Sequence, residues 1–99
     1  MQSFYAAAFD REMGCTEAEW LSWLPAAIGA HPYQLTRSDV QVMLPGGALA
    51  IGWQAGPLRV IALLRMPRLL VTFRFQHLDD AARYAFMKRF DLYMQRGGG

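Results

Sequence analysis

The sequence predicts a two-layer α+β sandwich: a four-stranded antiparallel β-meander over residues 39–76, with an N-terminal helical region and a C-terminal helix packed on one of its faces. Three observations carry this. The runs VQVML, ALAIGW, LRVIALL and LLVTFRF are strand-like and are separated by Pro-Gly-Gly, Ala-Gly-Pro and Met-Pro. The stretch GCTEAEWLSWL reads as a helix start, and Asp79-Asp80 opens a second amphipathic run. Of the 99 residues, 54% are apolar and 18% charged, enough for one packed core and too apolar for a disordered chain.

The elements follow in order. Residues 3–9 split by alternation into Phe4, Ala6, Ala8 and Tyr5, Ala7, Phe9, which suits a possible fifth strand. The alanines and Asp10-Arg11-Glu12-Met13 equally suit a helix stopped at Gly14. Thr16 with Glu19 makes a capping box, and Cys15 with Trp20 a hydrophobic staple. Trp20, Trp23, Leu24, Ala27 and Ile28 share one helical face, and Pro25 predicts a kink or an early end near Leu24.

Glycine-containing turns set the strand register. A Gly46-Gly47 turn pairs Val40 with Trp53 and Val42 with Ile51, and an Ala55-Gly56 turn pairs Trp53 with Leu58 and Ile51 with Val60. The third connection pairs Leu58 with Phe75, Val60 with Phe73 and Ala62 with Val71. All these residues are apolar and fall on one face, which a one-residue slip would scatter. Asp79 and Asp80 suit a helix N-terminus, and Ala82, Ala85, Phe86, Phe90 and Tyr93 follow at helical spacing. Gly97 fits the stop of that helix, with glycines 97–99 flexible. If residues 3–9 form a strand, the order β-α-β₄-α loosely resembles, in topology alone, a shortened helix-grip fold, and such a likeness assigns no function.

Charge is uneven along the chain. Residues 1–39 carry five acids and two arginines, while residues 40–99 carry eight basic and three acidic side chains. Four arginines and no acid lie between Val40 and Leu78. In the expected register Arg59 stands opposite Arg74, and Arg65 stands near Arg68. Met43, Ile61, Leu63 and Leu70 lie between them on the sheet face away from the helices. A solvated face is one reading of this pattern. A protein interface, most simply a homodimer, is the second, since Arg and Met are enriched at interfaces. Nucleic acid is disfavoured, because no aromatic side chain stands on that face to stack on a base.

Signals for catalysis are sparse. Cys15 is the only cysteine, which forbids an intrachain disulfide and suits a reducing cytoplasm. It has no neighbouring histidine, and His31 and His77 are lone. No metal-ligand spacing or phosphate loop is present, so no catalytic residue, metal or cofactor is expected. The N-terminus lacks the basic lead of a secretory signal, and no apolar run nears the roughly 20 residues that span a bilayer, so no membrane partner is expected. The sequence therefore points to a small cytoplasmic, non-enzymatic interaction module. It would self-associate, or bind a protein partner, through a face made of Arg59, Arg65, Arg68, Arg74, Met43, Ile61, Leu63 and Leu70. The alternative is a binding protein holding a small apolar or anionic ligand between sheet and helices near Trp20, Trp23 and Trp53.

Overall fold

The computed structural model of the chain describes residues 3–98. Its elements run β1 (Ala8–Met13), α1 (Glu17–Ile28), β2 (Tyr33–Leu35), β3 (Asp39–Leu44), β4 (Gly47–Ala55), β5 (Arg59–Ile61), β6 (Leu64–Met66), β7 (Leu69–Gln76) and α2 (Asp80–Gly98). Five strands form an antiparallel sheet in the order β1-β7-β4-β3-β2, and β5 with β6 makes a separate two-stranded ribbon. The two helices lie together on one sheet face, which is the expected α+β fold.

The buried face follows the period-two pattern. Val40, Val42, Leu49, Ile51, Trp53, Leu69, Val71, Phe73 and Phe75 are buried and meet Trp20, Leu24, Ala27 and Ile28 of α1. Helix α2 adds Phe86, Met87, Phe90 and Met94. Each fully buried large apolar side chain stabilises the fold by roughly 1.5–3 kcal/mol, and rings dominate this core. Phe73 stacks on Phe9 with centroids 4.7 Å apart and meets Phe90 edge-on at 5.7 Å.

The capping box at Thr16 is formed: its Oγ accepts from the Glu19 N–H at 3.1 Å, and Glu19 Oε1 accepts from the Thr16 N–H at 2.9 Å. Helix α1 does not end near Leu24. It continues through Pro25, which is exposed, to Ile28. Proline removes one hydrogen bond there, and burial of Ala27 and Ile28 beyond it offsets that loss.

The N-terminal segment is a strand, but it begins at Ala8 rather than occupying 3–9, and it takes in the Asp-Arg-Glu-Met run. Alternation explains this. Asp10 and Glu12 point away from the helices and pair with Arg74 of β7 and with Arg68 just before it. Arg11 points inward, its guanidinium 5.0 Å from the Phe73 ring centre, and bonds Asp91 of α2 at 2.7 Å. An inward charge also discourages a foreign strand from pairing at this edge.

The meander needs a larger correction. The first hairpin turns at Pro45-Gly46 and pairs Val40 with Ile51 and Val42 with Leu49, two residues away from the expected register. Parity is conserved, so the buried face is too. Gly46 has φ +88°, and Pro followed by a positive-φ glycine is the type II pattern. Gly47 is held by a close approach: a Cβ there would lie 2.1 Å from the Gln76 carbonyl oxygen. The expected third strand is absent from the sheet. Strand β4 pairs directly with β7, Ile51 opposite Phe73 and Trp53 opposite Val71, so Leu58, Val60 and Ala62 face none of their expected partners. The short edge strand β2 was not expected.

Asp79 caps α2, its Oδ1 accepting from the Ala82 N–H at 2.9 Å. The buried stripe runs through Arg83, Phe86, Met87, Phe90 and Met94, while Ala85 is exposed. Gly97 lies within α2 rather than at its stop, since glycine tolerates helical geometry at a cost of about 1 kcal/mol; Gly99 lies outside the described residues.

Candidate interaction surface

Residues 57–66 leave the sheet as an arm, and every one of them is exposed. The ladder of β4 and β7 continues to a bond from the Gly56 N–H to the Arg68 carbonyl at 2.8 Å. One step further along each strand come Pro57 and Pro67, neither with an N–H to donate. Continuing the sheet register would set Arg59 against Arg65. The ribbon instead slips by one, pairing Arg59 with Met66, Val60 with Arg65 and Ile61 with Leu64. Like charges directly opposite are unfavourable, and the slip separates them.

The tip is Ala62-Leu63. Ala62 takes φ 53°, the first position of a type II′ hairpin turn where glycine is usual. Leu63 is 99% exposed, and Leu58, Val60, Ile61, Leu64 and Met66 are exposed too. By pairing, Arg59, Ile61, Leu64 and Met66 stand on one side of the ribbon and Val60 with Arg65 on the other. One side therefore has the apolar pair Ile61–Leu64 next to the tip with Arg59 and Met66 nearer the root, and the other sets Val60 directly beside Arg65. Neither Arg59 nor Arg65 forms an ion pair with any described residue.

The expected Arg-rimmed face thus divides. Arg68 and Arg74 stay beside the sheet, where Glu12 and Asp10 neutralise them; Arg74 also donates to the carbonyls of Phe9 and Phe73. Met43 is exposed and Leu70 half-buried on that outer face, beside the small residues Ala48, Ala50 and Gly52. Arg59, Arg65, Ile61 and Leu63 belong to the arm. Arg59 faces Met66 and not Arg74, so the eight residues do not form one continuous surface.

The tryptophans are core. Trp20 is fully buried, its ring 5.7 Å from that of Trp53 and 6.0 Å from that of Phe90. Trp53 donates its Nε1–H to Glu17 at 3.0 Å, and Trp23 is half-buried. These rings pack in and against the core, and Trp53 also borders a cavity of about 350 Å³ with Ser38, Asp39, Gly52 and Thr72. A cavity of about 260 Å³ lies elsewhere, at the opposite end of β4 from the arm, lined by Leu44, Pro45, Leu78, Phe86, His31 and Arg89 among others.

Cys15 is buried, and burial first and the Glu19 charge second push its thiol above its ordinary value. The His31 ring packs 5.9 Å from Phe86, while His77 is exposed with φ 62°. Among the described residues no three His, Cys, Asp or Glu side chains gather as a metal site.

Sequence reasoning missed the polar lock under the N-terminal segment. Arg83, almost fully buried, donates to the carbonyls of Tyr5 (2.8 Å) and Leu78 (2.7 Å) and pairs with Asp80. Tyr5 donates to Asp91 at 2.7 Å, the carboxylate that Arg11 also bonds. The one available signal was an arginine at helical spacing on the apolar stripe of α2.

No protein-family model, curated protein or solved structure matches the chain.

Proposed function

We propose that this protein is a non-enzymatic interaction module and that the β5–β6 arm is its docking element. The observation that carries this is the concentration of six exposed large apolar side chains on an arm that adds nothing to the core. A two-stranded ribbon is marginally stable alone in water, so a partner that covers it also stabilises it. Contiguous exposed apolar surface marks interaction sites in soluble domains. The ion-paired state of Arg68 and Arg74 favours the arm over the outer sheet face as the contact region.

The test is to replace residues 57–67 by a two-residue turn in the full chain. The thermal midpoint is expected to hold, while association of the chain with itself or with another surface is lost. A midpoint that collapses would make the arm a structural part of the fold and end this reading.

A further inference from the structure

We infer that the surface the arm engages is an anionic lipid interface, into which the tip inserts without crossing; this rests on the arm being the docking element. It departs from the sequence-based expectation of no membrane partner. Apolar side chains occupy both sides of the ribbon and its tip. A flat protein partner covers one side and leaves the other wet, whereas the acyl region of a bilayer surrounds the tip. Arg59 and Arg65 stand on opposite sides with no ion pair among the described residues, and no acid lies between Val40 and Leu78. Two arms packed together would oppose these arginines with no acid on either arm. Lipid phosphates meet both.

Arg65 lies two ladder steps and Arg59 three from the turn, roughly 7–10 Å at strand rise. An element seated in the interface is buried about 5–10 Å, so Leu63, Ile61 and Leu64 would reach the acyl boundary while both guanidiniums stay among the phosphates. Open ribbon edges are not tolerated in hydrocarbon, which limits insertion to the turn and keeps the strand edges in the hydrated headgroup layer. Consistently, no described helix is long and apolar enough to cross a membrane.

The experiment is vesicle flotation of the full chain, with phosphatidylcholine vesicles and with mixed phosphatidylcholine–phosphatidylglycerol vesicles, alongside sedimentation equilibrium without lipid. Binding to the mixed vesicles is expected, and weaker binding to phosphatidylcholine alone. Leu63→Asp should weaken binding at least about tenfold. Arg59→Glu and Arg65→Glu each change the local charge by two and should each weaken it more than about tenfold, one positive charge near an anionic surface being worth roughly fivefold. Arg37→Glu, outside the arm, should change it little. A polarity-sensitive fluorophore on Leu63→Cys should shift to the blue on mixed vesicles, Cys15 being buried. Equal binding to both vesicle types, or binding that survives Leu63→Asp, overturns the inference. If vesicles are ignored but the chain self-associates and Leu63→Asp abolishes that, the docking reading stands and the lipid surface is replaced by a second copy. If the chain neither floats nor self-associates, both readings fall.

Discussion

The Nε of Arg83 donates to the carbonyl oxygen of Tyr5 at 2.8 Å, joining the segment before β1 to the first turns of α2. The same guanidinium holds the Leu78 carbonyl and Asp80. A buried arginine is stable only when its donors are satisfied, and here both carbonyls and a carboxylate satisfy it. Replacing it by Ala leaves the Tyr5 and Leu78 carbonyls short of a donor. Arg83→Ala should lower stability by about 2–4 kcal/mol in denaturant unfolding. Amide exchange should quicken at residues 5–9, where an effect through α2 alone would not reach.

Tyr5 gives the fold a pH signature. Burial first, and its hydrogen bond to Asp91 second, raise its hydroxyl from 10.0 to about 12. The folded state therefore holds this proton more tightly than the unfolded chain. Its contribution to stability is complete below pH 10 and is lost as pH rises from 10 towards 12. The thermal midpoint should fall across that window in the wild type and fall less in Tyr5→Phe, compared at matched ionic strength.

Gly47 and Gly14 should behave oppositely on substitution. A Cβ on Gly47 would lie 2.1 Å from the Gln76 carbonyl and 3.1 Å from that of His77, both backbone atoms that cannot move alone. Gly47→Ala should cost more than about 2 kcal/mol. A Cβ on Gly14 meets nothing within 4 Å, so Gly14→Ala should stay within about 0.5 kcal/mol. Urea midpoints of the two variants decide it.

The Thr16–Glu19 box sets the start of α1, and Thr16→Ala should cost about 1 kcal/mol. A denaturation series that also carries Thr16→Ser checks the assignment, since serine restores the acceptor and should recover most of the loss.

Local devices were the most legible part of the sequence. The capping box, the Asp79 cap and the Trp20–Leu24–Ile28 stripe depend on residues within a few positions of each other. The sheet's buried face was legible through parity, which survives the two-residue error in the first hairpin. Strand pairing was not legible. Val60 and Leu64 are as apolar as core residues, and only the two prolines hinted that their ribbon leaves the sheet. The strand at Ala8–Met13 was obscured because its inward arginine is satisfied by Asp91, 80 positions away. The docking surface shared that fate: Arg59 and Arg74 belong together only if the ribbon lies in the sheet, and it does not.

The position of β1 also has a kinetic meaning. Its ladder joins Ala8 to Arg74 and Met13 to Leu69, so during synthesis this strand emerges long before its partner. Until β7 appears it has no neighbour, and its Asp10-Arg11-Glu12 run keeps the waiting segment hydrated and a poor template for other nascent chains. Docking of this edge is thereby tied to the arrival of β7 and α2, and the bonds of Asp91 to Arg11 and Tyr5 are made only when the sheet closes.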